Sequence, residues 1–241
     1  MREPNPEKLN ELVGKLLNDI GASLSGASVL LGDRLGLYKA MADGKSVTPS
    51  DLAKKTKLHE RYVREWMSGQ AASGYIDYDS EKDAFSLSPE QAMAFAEEGS
   101  PAFFAGAFDV VQSTYLDEPK VADAFRTGKG VGWHEHSKCL FSGTERFFRP
   151  GYNANLVPSW IPALDGIDAK LKAGAKVADV GCGHGASTDR DGAGLSQVRV
   201  LRLRLPQAFD RARKGPREGS RRRRSHHICA GQRQGFSGKG L

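Results

Sequence analysis

Residues 177–188 read VADVGCGHGAST, a short apolar run followed by glycines at positions 181, 183 and 185. The run is typical of a buried parallel strand, which we predict over Lys176–Val180. Glycines can adopt positive φ, and they lack the Cβ atoms that would keep a ligand away from the backbone. Residues 186–188 then begin a predicted helix whose free N–H groups point to the same place. The stretch therefore predicts a cofactor site at the carboxyl end of a strand.

The spacing within this stretch fits two cofactors. Gly181, Gly183 and Ala186 satisfy the dinucleotide fingerprint, which would bind NAD. Asp179 and Gly185 extend the motif to D-x-G-x-G-x-G, which resembles the first motif of class I S-adenosylmethionine-dependent methyltransferases. In that family the glycines approach the methionine part of the cofactor, and the acid helps to hold its ammonium group, often through water. The resemblance implies S-adenosylmethionine as the cofactor, bound by Asp179, Gly181, Gly183 and Gly185, with NAD as the alternative.

The first hundred residues have the element order of a winged helix. Apolar residues recur at helical spacing over residues 6–42, on both sides of a Gly/Ser patch at residues 21–28. This pattern predicts two helices, or one bent helix. Thr48-Pro49 supplies the N-cap and first position of a short helix, and residues 59–73 predict another. Residues 75–78 and 84–87 predict the arms of a hairpin.

A winged helix can bind DNA, which requires positive charge on its recognition helix and wing. The wing from Asp77 to Asp83 has four acidic residues against Lys82, and Arg61 and Arg64 each stand next to a glutamate. We therefore expect a dimerisation or lid module. A DNA-binding regulator, with the basic C-terminal tail adding phosphate contacts, is the alternative.

Residues 101–165 are apolar and aromatic at helical spacing, which predicts a helical connector. His134 and His136 could ligate a metal ion, but no third ligand stands at a recognisable spacing, so no metal site is predicted. Polar and aromatic side chains here could line a pocket near the cofactor. The candidate substrate-pocket residues are His136, Tyr152 and Asn155.

The order of winged helix, aromatic connector and DVGCGHGAS resembles bacterial methyltransferases that carry an N-terminal winged-helix domain, and the resemblance covers residues 6–188. It implies an α+β winged-helix domain over residues 1–100, a helical connector over 101–165 and the start of a Rossmann-like α/β methyltransferase domain over 166–188. It also implies methyl transfer to a small-molecule acceptor and a homodimer formed through the N-terminal region.

The tail, residues 189–241, does not continue this pattern. It contains 14 Lys and Arg against 4 Asp and Glu, whereas residues 1–188 contain 21 against 25. The net charge of +6 therefore comes from the tail alone. Because the tail is rich in Arg, Gly and Ser and lacks sustained periodicity, we predict that it is largely disordered. Its four consecutive arginines, residues 221–224, fit a nucleic-acid patch as an alternative.

A shift of reading frame explains the tail better. Read one base later, its codons can encode GFDYH and ANAKDFP, which resemble the acid-bearing segments that the family places after its first motif. The codons leave little freedom at some positions: the junction of Asp210 and Arg211 permits only isoleucine or threonine. We therefore expect that an inserted base near codon 189 truncates the methyltransferase domain and abolishes methyl transfer by this chain.

The three cysteines are far apart and form no CxxC pair, so neither a disulfide framework nor a zinc site is indicated. No apolar run approaches the ~20 residues that a membrane-spanning helix requires, and no basic stretch precedes an apolar core at the N-terminus. We expect a cytoplasmic protein without membrane contact.

Overall fold

The computed structural model describes residues 3–183, residue 185 and the backbone of residues 199–203. In chain order the helices and strands in these residues are α1 Pro6–Arg34, α2 Leu37–Met41, α3 Pro49–Thr56, α4 Glu60–Ala72, β1 Asp77–Asp79, β2 Ala84–Ser86, α5 Pro89–Phe95, α6 Ala105–Thr127, α7 Lys138–Asn155, α8 Ile167–Lys172, β3 Lys176–Val180 and β4 Arg199–Leu203. A 3₁₀ turn, Trp133–Glu135, precedes α7, and a π-helical turn, Leu156–Trp160, follows it. Among the helices described, none is both long and apolar enough to cross a bilayer.

Helix α1 continues through the Gly/Ser patch, where the sequence predicted a boundary or a bend. The two predicted helices instead meet at Leu35 and Gly36, and Gly36 adopts φ +71° before α2 begins. A glycine of α1 beyond the patch, Gly32, serves packing. A Cβ added at Gly32 would lie 2.3 Å from Cζ2 of Trp66, so only glycine allows α1 to approach α4 this closely.

Helices α2 to α5 and the β1–β2 hairpin form the predicted winged helix. Tyr78 lies opposite Phe85 in the antiparallel hairpin. Val47 exchanges two backbone hydrogen bonds with Phe85, of 2.8 and 2.9 Å. Thr48 caps α3, as the sequence predicts, by accepting the N–H of Asp51. The hairpin is shorter than predicted, because β1 begins at Asp77.

In the core of the winged helix, the buried side chain of Gln70 links α1, α2 and α4 through hydrogen bonds. Burial raises the pKa of Tyr38, so its hydroxyl keeps its proton and donates to Oε1 of the buried Gln70. Gln70 in turn donates to Oγ of Ser28 over 2.9 Å, and Nε1 of Trp66 donates to the carbonyl of Ser28 over 3.0 Å. The surrounding apolar side chains include Met41, Leu52, Val63 and Met67, all buried.

Helices α6 and α7 of the connector approach each other closely at two glycines. A Cβ at Gly143 would lie 2.6 Å from Cβ of Asp109 and 2.9 Å from the carbonyl oxygen of Gly106. A Cβ at Gly106 would lie 2.8 Å from Cβ of Arg146. Neither position can hold a larger residue without moving a helix backbone.

An ion-pair network joins α1 to this pair of helices. Arg146 of α7 contacts Asp33 of α1 through both terminal nitrogens, at 2.8 and 2.9 Å, and Asp109 of α6 at 3.1 Å. Arg34 of α1 donates to the other oxygen of Asp109 at 2.8 Å. Burial alone would lower the pKa of Arg146, but the carboxylates of Asp33, Glu98 and Asp109 raise it above its ordinary value. The guanidinium is therefore charged at every ordinary pH, and α1, α6 and α7 are held together at one point.

Asp117 of α6 caps the start of α7. Its carboxylate, which is 3% exposed, accepts the backbone N–H of Ser137 at 2.8 and 3.1 Å, the ammonium of Lys120 at 2.7 Å and Nδ1 of His136 at 3.0 Å. Burial would raise the pKa of Asp117, but these donors outweigh it and lower the pKa from 3.8 to about 2.

Strands β3 and β4 pair in parallel, with Val177 opposite Val200 and Val180 opposite Leu203. The predicted strand at residues 176–180 is thus confirmed. The sequence predicted a largely disordered tail, but residues 199–203 of the tail form a strand. Their sequence, RVLRL, has enough aliphatic residues to do so. The rest of the tail and the predicted helix at residues 186–188 lie outside the described residues.

Replacing Gly143 by alanine is expected to destabilise the protein by about 1–3 kcal/mol, because the new methyl group would overlap α6. Chemical unfolding followed by circular dichroism measures this. Gly151→Ala in the same helix is the matched control, since a Cβ there meets no atom within 4 Å. Equal stability of the two variants would contradict the close contact.

Replacing Asp117 by asparagine is expected to destabilise the protein by about 1–3 kcal/mol at pH 7, because buried donors lose a charged acceptor. The lowered pKa means that this stabilisation is present above about pH 4 and is lost as the pH falls towards 2. The difference in the free energy of unfolding between wild type and variant should therefore decrease in unfolding curves recorded from pH 7 to pH 3. Asp123 is exposed in the same helix, so the Asp123→Asn variant should have the same free energy of unfolding as the wild type.

Candidate functional site

The glycine turn after β3 has the backbone that the sequence predicts. Gly181, Gly183 and Gly185 adopt φ +77°, +53° and +86°. These are left-handed values that residues other than glycine rarely adopt. The N–H of Gly185 donates to the carbonyl of Cys182 over 2.7 Å, which closes the turn. Three left-handed residues within five thus follow directly on the end of the strand.

The turn leaves room for a ligand beside its backbone. A Cβ added at Gly181 or Gly183 would meet no atom of the described residues within 4 Å, so the space next to the two residues is open on that side. Asp179 lies two residues before the turn and is half-buried on β3. A carboxylate beside an open turn of this kind suits a ligand with a positively charged group. The residues present therefore fit S-adenosylmethionine, whose amino acid part carries an ammonium group.

A second feature is a cavity of about 780 Å³ on one face of α6 and the start of α7. Its buried part contains Ser113 and Asp117, and its more exposed part contains Val121 and Phe125. His136, a predicted pocket residue, lines this cavity. The sequence reasoning missed Asp117, because an acid on one helix gives no local sign that it will bond to a residue 19 positions further on.

The other two predicted pocket residues do not line this cavity. Tyr152 lies in a row of aromatic rings, with its ring centroid 6.2 Å from that of Phe148 and 6.1 Å from that of Trp160. Asn155 donates to the backbone carbonyl of Gly151, one turn earlier in α7. The structure therefore does not bring His136 together with Tyr152 and Asn155 in one lining, and all three assignments stay predictions.

The paired histidines have different surroundings. His134 is exposed on the 3₁₀ turn, whereas His136 is half-buried and bonded to Asp117. Within residues 3–183 and 185, no three His, Cys, Asp or Glu side chains lie close enough together to hold a metal ion.

The winged helix uses several of its cations internally. Arg64 of α4 contacts Asp83 of the wing at 2.8 Å, and Lys82 contacts Asp79 at 2.6 Å. Hydrogen bonding to Asp83 raises the pKa of Arg64, and hydrogen bonding to Arg64 lowers the pKa of Asp83. These pairs leave less positive charge for phosphates than a DNA-binding wing normally offers.

The N-terminal two-thirds of α1 exposes an apolar stripe. Its buried residues begin only at Gly26. Before that point, large aliphatic side chains recur at helical spacing and are exposed to solvent: Leu9, Leu12, Val13, Leu16, Leu17, Ile20 and Leu24. An uncovered stripe of this length is typical of a surface that contacts another molecule.

The winged-helix region matches a known domain family. Residues 23–97 match the Rv2258c-like winged HTH domain. No curated protein sequence matches the chain.

Comparison with solved structures finds O-methyltransferases. An O-methyltransferase family protein from Burkholderia thailandensis has a TM-score of 0.52 and 14% identity over 83% of this chain and 57% of its own. Mitomycin 7-O-methyltransferase MmcR has a TM-score of 0.56 and 17% identity over 83% and 60%. Human N-acetylserotonin methyltransferase, solved in complex with SAM, has a TM-score of 0.57 and 14% identity over 84% and 60%.

The chain thus spans about 57–60% of the length of these three proteins, and at these identities the likeness is one of fold. Residues 23–97 are similar to the Rv2258c-like winged HTH domain, and the chain as a whole shares its fold with part of these O-methyltransferases.

Proposed function

We propose that this chain derives from an S-adenosylmethionine-dependent methyltransferase that acts on a small molecule. The observation that carries the proposal is the run of left-handed glycines after β3 with Asp179 just before it. Asp179 would hold the ammonium group of the cofactor, and Gly181, Gly183 and Gly185 would let its methionine part approach the backbone. When bound, the cofactor supplies the methyl group. The protein positions donor and acceptor for an in-line displacement.

The conformation of Gly185 favours this cofactor over NAD. In the dinucleotide fingerprint the residue at this position is unrestricted, because the motif needs small residues only at positions 181, 183 and 186. Here residue 185 adopts φ +86°, which requires glycine. The third glycine is thus part of the turn, as the methyltransferase motif demands.

The acceptor site would lie on the connector. Of the residues predicted for it, His136 lines a cavity of suitable size, whereas Tyr152 and Asn155 lie outside that lining. The acceptor itself would be a small molecule, as mitomycin is for the structurally similar mitomycin 7-O-methyltransferase MmcR. We also propose that the protein is cytoplasmic.

We further propose a homodimer formed through the N-terminal region. The exposed stripe on α1 supports it, because burying apolar surface in water is favourable and nothing in the described residues covers these side chains. A DNA-binding role is disfavoured by the internal ion pairs of the wing.

We propose that an inserted base near codon 189 has replaced the rest of the methyltransferase domain by the tail. Parallel strands are normally buried on both faces, yet β3 alternates between exposed and half-buried residues and Val180 is 71% exposed. The abrupt change of charge at the same point also supports a shift of frame. On this proposal the chain as it stands lacks the residues that would complete the cofactor site.

The cofactor assignment is tested in a protein encoded by the gene with one base deleted near codon 189. Calorimetric titration should show binding of S-adenosylmethionine and none of NAD. Asp179→Asn should weaken binding about tenfold or more, as expected for a lost charge-assisted hydrogen bond. Gly183→Ala should weaken it through strain at φ +53°, whereas Gly128→Ala, with φ +71° at the end of α6, should not. Binding of NAD alone would overturn the proposal.

The chain with its present tail is expected to transfer no methyl group. Radiolabelled S-adenosylmethionine, incubated with a panel of hydroxylated small molecules, should give no labelled product with this chain and labelled product with the frame-restored protein. Equal turnover by both proteins would show that residues 189–241 belong to an active enzyme.

A further inference from the structure

We propose that the cavity between α6 and the start of α7 binds an uncharged ring compound that donates a hydrogen bond to Nε2 of His136. The cavity volume, about 780 Å³, is typical of small-molecule sites. Aliphatic residues Val121, Ala122 and Leu140 contribute apolar lining, and His136 contributes a polar group with a free hydrogen-bonding position.

Asp117 determines which hydrogen bond the imidazole can make. A carboxylate only accepts, and the lowered pKa keeps Asp117 ionised, so Nδ1 of His136 must carry a proton to make its 3.0 Å contact. In a neutral imidazole the other nitrogen, Nε2, then has a lone pair and accepts. Among the described residues none makes a hydrogen bond to Nε2. Asp117 is therefore a positioning residue that prepares an acceptor.

The imidazole is also held in place. Trp133 packs against it edge to face, with 5.7 Å between the ring centroids, and Trp133 itself packs on Phe141 at 5.3 Å. Next to His136, the buried hydroxyl of Ser137 has no hydrogen-bond partner within the described part of the chain. An acceptor fixed before the ligand arrives costs less to order on binding.

The charges around the cavity select the class of ligand. Two acidic residues, Asp117 and Glu118, and one basic residue, Arg126, line it. The ammonium of Lys120, 2.7 Å from Asp117, balances that carboxylate, so neither sign of ligand is favoured overall. The exposed ring of Phe125, also in the lining, offers an apolar face for stacking. An uncharged fused or substituted ring with one hydroxyl group satisfies these contacts. Only its further assignment as the methyl acceptor rests on the proposed function.

The test uses the chain as it exists, without a methyl donor. Calorimetric titrations compare 2-naphthol, which can donate a hydrogen bond, with 2-methoxynaphthalene, which cannot. We expect 2-naphthol to bind about two- to tenfold more tightly, as one neutral hydrogen bond allows. His136→Phe should abolish this preference while the apolar compound still binds. His134→Phe, which changes the exposed histidine in the same segment, should preserve it.

Asp117→Asn should reduce the preference for 2-naphthol, because the imidazole loses its ionised partner and both tautomers become accessible. Circular dichroism shows whether each variant is folded. Should His136→Phe fail to fold, Ala122→Trp provides the second test, since an indole placed at this lining position of α6 would obstruct the cavity and weaken binding of both compounds.

The inference is overturned when neither compound binds, when both bind equally, or when His136→Phe keeps the preference for 2-naphthol. Unchanged affinity of the Ala122→Trp variant for both compounds overturns it as well. None of these outcomes depends on S-adenosylmethionine. Failure of the cofactor assignment in the frame-restored protein would leave this result intact, and the reverse also holds.

Discussion

The close approach of α6 and α7 is the constraint on which the rest of the structure depends. Gly106 and Gly143 allow the two backbones to meet, and this contact buries Asp109 within reach of Arg34 and Arg146. A buried carboxylate without such partners would be strongly unfavourable. Since Arg34 belongs to α1, which also packs on the winged helix, one helix contact positions the connector relative to the N-terminal domain.

The same contact creates the candidate ligand cavity. With α7 held against α6, the start of α7 reaches Asp117, whose carboxylate caps the helix and orients His136. Helix capping and imidazole orientation thus have one cause. The glycine turn after β3 is built differently: its geometry follows from the left-handed conformation of its own glycines.

Much of the fold could be predicted from local sequence signals. The cap at Thr48, the hairpin and the strand before the glycine turn each depend on residues close together in the chain, and all three are present. The unbroken course of α1 could not be predicted, because its Gly/Ser patch looks like a break unless its partners on other helices are known: Phe108 beside Gly26 and Trp66 bonded to Ser28. The partners of His136 and Arg146 were missed for the same reason: they lie 19 or more residues away, and a single sequence does not show such pairings.

The length of α1 has a physical consequence of its own. Its 29 residues extend over roughly 43 Å, and the part before Gly26 has an apolar stripe with no core beneath it. Isolated helical segments of this kind are only marginally stable in water. If the proposed homodimer covers this stripe, dilution alone would unwind the arm while the winged helix behind it stays folded.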